Sequence, residues 1–184
     1  DMLGETLPEI AFEKAGIIKP KVPVVVGESH PETDPVFERK VLYTNLPEPV
    51  FMGGRSAIMS LLTFADKTCP KLWDRHEEIL SDMDLKGDYQ RKNLRTAMAA
   101  MDVLGLSPED EAVTALKHTA QRTGFHGRWE KISDNPWVIC DIGHNGHGLK
   151  YNFAQLAKMK AEGECSRLII VYGSVADKDV DAVI

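Results

Sequence analysis

The chain has 184 residues, of which 43% are hydrophobic and 27% are charged, and its formal net charge at pH 7 is −6. This composition is that of a globular protein with a hydrophobic core, and it excludes collagen-like, disulfide-scaffold and largely disordered chains. The acidic balance disfavours a binder of duplex nucleic acid, because such proteins need a basic face to displace counterions from the phosphates.

The cysteines and the apolar stretches indicate a compartment. Cys69, Cys140 and Cys165 form no Cys-x-x-Cys pair, so neither a disulfide framework nor a cysteine zinc site is indicated. The longest apolar stretches, residues 22–26 and 168–172, have the length of strands, and no signal-peptide pattern is visible. We therefore expect reduced thiols in a cytoplasmic protein without a membrane segment.

The first helix signal begins at Thr6, which is followed by Pro8 and by Glu9 at capping-box spacing, and Gly16 is a natural stop. Residues 22–27 predict a short buried strand, and residues 34–42 predict a helix that opens with Asp34-Pro35. Residues 43–83 show no clean period. We expect a strand near residues 50–52 and one or two helices in that stretch.

Residues 88–104 give the clearest helix pattern of the chain. An apolar stripe repeats there at intervals of three and four residues and consists of Leu94, Ala97, Met98, Met101 and Leu104. Gly105 ends this helix. Ser107 and Pro108 then open another helix that runs to about residue 120.

The composition of the sequence changes after the glycine loop of residues 123–127, and we place a domain boundary near residues 124–127. Strands are expected at residues 128–132 and 137–142, a glycine-rich turn at 143–148, a helix at 149–160 and a strand at 168–173. A strand, a helix and a strand in this order form a βαβ unit, whose right-handed crossover implies a parallel sheet. The predicted fold class is therefore α/β.

The segment DIGHNGHG at residues 141–148 follows a predicted strand, at the end where open α/β sheets bind ligands. Asp141 can accept hydrogen bonds from ribose hydroxyls, and His144 can contact a phosphate or a carboxylate. The order Gly-x-Gly-x-x-Gly is absent, which disfavours a dinucleotide site. A metal site that includes His147, a ligand site and a plain structural turn remain open from these residues alone.

Three other residues invite a chemical interpretation. Lys14 lies on the first predicted helix close to apolar residues, and a partly buried lysine loses its proton more easily and becomes nucleophilic. Asn93 is a modest helix former within an otherwise strong helix, and Arg128 follows the glycine loop. For each of them, a solvated surface role is favoured when the residue is taken alone.

Taken in order, several segments resemble the folylpolyglutamate synthase/dihydrofolate synthase family of the Mur ligase superfamily. They are LGETLPEIAFEKAGIIKP at residues 3–20, VPVVVGE at 22–28, LKGDYQRKN at 85–93, GRWE at 127–130, DIGHN at 141–145, and residues 173–179 with the letters DKD. Residues 31–84 match only weakly. The resemblance implies a Mur-ligase-like α/β fold. In it, residues 1–124 form the later part of the central ATP-binding domain, and residues 125–184 form the first part of the Rossmann-like C-terminal domain.

The resemblance also implies an activity. Such enzymes are ATP-dependent amide ligases that add glutamate to dihydropteroate or to folate polyglutamates through an acyl phosphate. The implied cofactors are ATP and Mg2+, and the implied partners are glutamate and dihydropteroate or folate. No nucleic acid or membrane partner is expected, and the full-length form is expected to be a monomer. The alternatives are another Mur-type amino-acid ligase and a non-catalytic nucleotide-binding module of the same fold.

The resemblance assigns roles by position. Lys14 matches the lysine that is carbamylated in this superfamily and helps to hold Mg2+, and His144 matches a histidine near the phosphate or the incoming glutamate. Asn93, Arg128 and Asp141 match ATP contacts. Two positions depart from the family pattern.

The two departures from the family pattern are Gly143, where alanine is usual, and Gly146, where proline is usual. The resemblance also places the family's phosphate loop before Asp1 and the last strands of the C-terminal domain after Ile184. We therefore expect this polypeptide alone to be inactive.

Overall fold

The computed structural model describes residues 4–46, 54–106, 109–144 and 146–173. By its contacts the chain divides into two compact units, one made of residues 1–77 and 92–109 and the other of residues 78–91 and 110–184. The predicted domain boundary near residues 124–127 falls inside the range of the second unit. That boundary concerns the domains of longer relatives and stays a prediction.

The described part of the chain is rich in helices and contains two short sheets. The helices are α1 (Leu7–Ala15), α2 (Asp34–Asn45), α3 (Gly54–Met59), α4 (His76–Asp82), α5 (Gln90–Val103), α6 (Asp110–Lys117), α7 (Thr119–Thr123) and α8 (Gly146–Ala161). The strands are β1 (Val24–Val26), β2 (Leu62–Phe64), β3 (Glu130–Asp134) and β4 (Trp137–Cys140). None of the described helices is both long and apolar enough to cross a bilayer.

The first unit is built around the parallel pair β1 and β2, in which Val24 lies opposite Leu62. Ala15, Ile18 and Val41 are buried against this pair, together with partly buried residues of α2 and α3. The capping box predicted for α1 is confirmed: the Glu9 amide donates to Thr6 Oγ1 at 3.4 Å, and the Thr6 amide donates to Glu9 Oε2 at 3.0 Å. Satisfying these amides fixes where α1 begins.

The second unit contains the antiparallel hairpin β3–β4, helices α6 and α7, and helix α8. The two-residue hairpin turn contains a cis peptide bond between Asn135 and Pro136. Asp84 orders the start of α7, because its carboxylate accepts from the amides of Ala120 at 2.9 Å and Gln121 at 2.8 Å. These amides lie in the first turn of α7, where no intrahelical partner is present.

The structure corrects three expectations about secondary structure. The helix expected up to about residue 120 is two helices, since the chain breaks at His118 and Asp84 caps the second one. Strand β2 was not expected, because three residues are too few to show a period. Residues 168–173 form no strand, because no ladder pairs with them among the described residues, so the predicted βαβ unit is not formed there. The strand expected at 50–52 and the cap at 107–108 lie outside the described residues.

Candidate functional site

The side chain of Asp141, just after the end of β4, is the centre of a hydrogen-bond network in the second unit. Its Oδ2 accepts from the Tyr89 hydroxyl at 2.7 Å and from the Trp129 amide at 2.9 Å. Its Oδ1 accepts from the Gly143 amide at 2.7 Å and from Asn152 Nδ2 at 2.9 Å. A carboxylate offers about four acceptor positions, so these four donors occupy all of them. We call these five residues the Asp141 network.

The network keeps Asp141 ionised. Burial by itself is the largest single effect and raises the pKa of this carboxyl, but the four hydrogen bonds together outweigh it and lower the pKa below its ordinary value. Tyr89 shows the opposite behaviour. Burial raises the pKa of the Tyr89 hydroxyl, and the hydrogen bond to Asp141 and the charge of that carboxylate raise it further, so Tyr89 remains a donor.

The loop before β3 is tied to the end of β4. The carbonyl of Gly127 accepts from the Ile142 amide at 2.9 Å, and the Gly127 amide donates to Glu130 Oε2 at 2.7 Å. Gly127 has φ +76°, and a Cβ added there would lie 2.6 Å from Ile142 Cγ2, so only glycine fits. Trp129 has φ 49°, and its amide is one of the donors to Asp141. The sequence Gly-Arg-Trp-Glu thus makes a tightly bonded loop.

This loop and the turn after Asp141 carry Arg128 and His144, two of the three predicted site residues of the second unit. Arg128 is partly exposed, and its guanidinium lies 5.5 Å from the centre of the Phe125 ring. His144 is exposed, and its Nδ1 lies 3.1 Å from the Ile142 carbonyl. Because a carbonyl only accepts, Nδ1 is the protonated nitrogen in this hydrogen bond, and Nε2 remains for another group.

The turn after Asp141 leaves little space for a side chain at position 143. A Cβ added at Gly143 would lie 2.8 Å from Asp141 Oδ1 and 3.1 Å from Asn152 Nδ2. Asn152, on α8, is buried, and its Oδ1 has no hydrogen-bond partner among the residues that the structure describes. Glycine at 143, where the resembling family usually has alanine, therefore lets Asn152 approach the carboxylate.

The two other predicted site residues lie in the first unit. Lys14 is in the last turn of α1 and is exposed, whereas the helix buries Ala11 and Ala15. This exposure agrees with the solvated position that is favoured for Lys14 when the residue is taken alone. Asn93 is an exposed residue of the first turns of α5. The structure thus joins Arg128, Asp141 and His144 through one set of backbone contacts and places Lys14 and Asn93 in the other unit.

A cavity of about 720 Å³ lies in the second unit beside the Asp141 network. Its wall includes two indoles and four cationic side chains, from Trp129, Trp137, Lys86, Arg91, Lys131 and Lys158. Lys131 also forms an ion pair with Asp134. The carboxylate of Asp88 also lines this cavity, so its wall carries an excess of positive charge beside the two aromatic surfaces.

Sequence reasoning missed three members of the network. Tyr89 stands in the segment that resembles the family, but nothing in its position along the chain indicates that it meets Asp141. Asn152 and the Trp129 amide give no sequence signal, because one is a helix residue among many and the other is backbone. Among the described residues, no group of three or more His, Cys, Asp and Glu side chains is placed to hold a metal ion.

Comparison with known proteins relates nearly the whole chain to one kind of enzyme. The chain is 28% identical over 99% of its length to folylpolyglutamate synthase of Lacticaseibacillus casei, and it spans 42% of that protein. It is 29% identical over 97% of its length to dihydrofolate synthase/folylpolyglutamate synthase of Bacillus subtilis, of which it spans 41%. No protein-family model matches the chain.

Solved structures agree on the fold. A point mutant of L. casei FPGS superposes with a TM-score of 0.55 over 86% of this chain and 39% of that one, at 23% identity. An FPGS-AMPPCP-folate complex superposes with a TM-score of 0.56 over 85% of this chain and 38% of that one, at 24% identity. The predicted α/β, Mur-ligase-like fold and the resemblance to folylpolyglutamate synthase/dihydrofolate synthase are thereby confirmed.

Proposed function

We propose, from this relation to the folylpolyglutamate synthases, that the chain forms part of an ATP-dependent ligase that adds glutamate to dihydropteroate or to folate polyglutamates. The observation that supports this most directly is the similarity to such enzymes over 97 to 100% of the chain. The chain spans 41 to 42% of these relatives, so the activity is proposed for the whole protein.

The proposed reaction has two steps. A carboxylate oxygen of the acceptor attacks the γ-phosphorus of ATP, ADP leaves, and an acyl phosphate forms. The amine of glutamate then attacks the acyl carbon, loses a proton, and phosphate leaves with the former carboxylate oxygen. Both steps depend on positioning and on neutralising negative charge, rather than on a nucleophile of the protein.

We assign ATP binding to the loops around the Asp141 network. A relative has been solved with the ATP analogue AMPPCP and folate, which supports a nucleotide in this fold. Arg128 is a partly exposed cation on a fixed loop and suits a phosphate. His144 has Nε2 left to meet a phosphate or the incoming glutamate, and Asn93 is assigned to the nucleotide from its motif. The basic cavity beside Trp129 supports an acidic substrate.

We assign to Lys14 one ligand of a Mg2+ ion. The exposed Lys14 amine has no ion pair within the part of the chain that the structure describes, so it is accessible to CO2. A lysine carbamate is an anion with two hard oxygens, which is the donor type that Mg2+ prefers. When bound, Mg2+ neutralises the charge of the reacting phosphates. Lys14 then acts by presenting the carbamate at the end of α1.

The test of the proposed function is glutamate addition by the whole protein of which this chain is part. We expect ADP release that requires both glutamate and dihydropteroate or a reduced folate, and transfer of 18O from the acceptor carboxylate to inorganic phosphate. Arg128→Ala is expected to weaken ATP binding by about tenfold or more, while Arg122→Ala, an exposed arginine of α7, leaves it unchanged. Release of ADP that does not depend on glutamate contradicts the proposal, and use of a different amino acid favours another Mur-type ligase.

A further inference from the structure

The contact between Tyr89 and Asp141 links two segments that lie 52 residues apart in the chain. The Tyr89 hydroxyl donates to Asp141 Oδ2 at 2.7 Å, within a half-buried environment. The same oxygen accepts from the Trp129 amide, next to Arg128, and the other oxygen accepts from the Gly143 amide, next to His144. A single carboxylate therefore holds one backbone amide next to Arg128 and another next to His144, the two predicted phosphate contacts.

The orientation of that carboxylate depends on its side-chain donors. The two backbone amides hold one oxygen each, and the two side-chain donors, Tyr89 and Asn152, complete the four positions. Asn152 donates from one of the two N–H groups of its amide, whereas Tyr89 has a single hydroxyl on a rigid ring. Its ring also lies close to Gly87, since a Cβ added at Gly87 would meet Tyr89 Cε1 at 2.8 Å, so the ring has little freedom.

We propose that Tyr89 is a positioning residue, which fixes the Asp141 carboxylate so that the Arg128 loop and the His144 turn are held ready for the nucleotide. The proposal rests on the proposed function for what these two residues bind. The hydrogen bonds of the Asp141 network are observed within this chain and do not depend on the proposed function. Asp141, with all four acceptor positions occupied, acts by ordering the backbone, and an incoming hydroxyl has to displace one of its donors.

The test uses Tyr89→Phe, which removes the hydroxyl and keeps the ring. Tyr43→Phe is the matched control, because Tyr43 is 76% exposed in α2. We expect amide hydrogen exchange at Trp129 and Gly143 to become about tenfold faster in Tyr89→Phe and to be unchanged in Tyr43→Phe. We also expect the pKa of Asp141, followed by carboxyl carbon NMR, to rise toward its ordinary value, because a donor to the charged form is lost.

A measurement on the unaltered chain guards against a variant that does not fold. The ζ-carbon of Tyr89 should shift as Asp141 titrates, since protonation of the carboxyl weakens the acceptor. The ionisable side chains that act on Tyr89 are those of Asp141 and Arg128. The proposal is overturned if the chemical shift of the Tyr89 ζ-carbon does not change as Asp141 titrates. It is also overturned if amide exchange at Trp129 and Gly143 is unchanged in a folded Tyr89→Phe.

Nucleotide affinity separates this proposal from the function on which it rests. In the whole protein, Tyr89→Phe is expected to weaken ATP binding about tenfold and to leave the turnover rate of the saturated enzyme nearly unchanged. Loss of the amide protection in a protein that binds no nucleotide in either form contradicts the proposed function and leaves the role of Tyr89 in ordering Asp141 established. Unchanged ATP affinity with loosened amides shows that the ordering is not used for the nucleotide and overturns the proposed role.

Discussion

At the scale of the residue, Lys14 and Asp141 differ in exposure and in hydrogen bonding, and therefore in the roles open to them. Lys14 has an exposed amine at the end of a helix, so its chemistry depends on what reaches it from solvent. Asp141 has four internal donors and belongs to the framework of the second unit as much as to any ligand. The two residues therefore call for different tests.

Lys14→Ala in the whole protein is expected to lower ligase activity by about a hundredfold or more, because it removes the proposed carbamate from the magnesium site. The measurement is the rate of ADP release that depends on glutamate, with and without added bicarbonate. Lys160→Ala is the control, since Lys160 is also an exposed lysine in the last turn of a helix. Undiminished turnover in Lys14→Ala, with the control equally active, removes Lys14 from the mechanism.

Gly143→Ala tests the crowding inside the Asp141 network. The added methyl group would lie 2.8 Å from Asp141 Oδ1 and 3.1 Å from Asn152 Nδ2, so we expect Asn152 to lose its hydrogen bond and stability to fall by about 1–3 kcal/mol. Urea unfolding measures the loss. Gly146→Ala is the control, because no atom of the described residues lies within 4 Å of a Cβ added there. Equal stability of Gly143→Ala and Gly146→Ala would show that a methyl group at position 143 does not crowd Asp141 and Asn152.

At the scale of the element, helix starts were the most predictable feature of the fold. Thr6 and Glu9 stand at capping-box spacing in the sequence, and both bonds of the box are formed. Thr33 also precedes a helix, but it makes no side-chain bond to α2, whose Pro35 and Asp34 occupy the first turn. The two threonines are therefore a natural pair for measuring what a cap contributes.

Thr6→Ala is expected to destabilise the first unit by about 1 kcal/mol, because the Glu9 amide loses its acceptor at the start of α1. Thr33→Ala is expected to change stability by less than about half of that, since no bond is lost. The free energy of unfolding in urea, with circular dichroism as the probe, gives both values. Equal losses in the two variants would show that the Thr6 bond contributes nothing.

Short strands and long-range contacts were not predictable from the sequence. Periodicity needs several residues, so the three residues of β2 gave no signal, whereas the apolar stripe of α5 did. The segment at residues 168–173 has the composition of a strand, but a strand also needs a partner, and composition says nothing about partners. In the candidate site, Arg128, Asp141 and His144 are predicted from their motifs, while the contacts of Tyr89 and Asn152 depend on the tertiary structure.

At the scale of the whole molecule, each unit contains a carboxylate that is partly buried and held by several donors. In the second unit this is Asp141. In the first unit it is Asp66, whose Oδ2 accepts from the Ser29 amide at 2.9 Å and from the Ser29 hydroxyl at 2.7 Å. Burial raises the pKa of Asp66, but the bonds from Ser29 and the charge of Lys67 together lower it below the ordinary value.

These two shifts predict how stability depends on pH. A carboxyl whose pKa is lower in the folded than in the unfolded chain stabilises the fold fully above its ordinary pKa of about 3.8, and this stabilisation is lost as the pH falls through the lower, folded value. We therefore expect the free energy of unfolding to decline as the pH falls below about 5, in both units. Urea unfolding at a series of pH values between 7 and 3 measures the slope.

Asparagine variants assign the acid sensitivity to particular groups. Asp66→Asn and Asp141→Asn keep the size of the side chain and remove the titration, so each is expected to be less stable at pH 7 and to have a shallower decline below pH 5. Asp134→Asn is the control, because the side chain of Asp134 is 85% exposed and its ion pair with Lys131 is at the surface. If both buried-site variants decline as steeply as the unaltered chain, the acid sensitivity resides in the exposed carboxylates, and the Asp141 network does not depend on its charge.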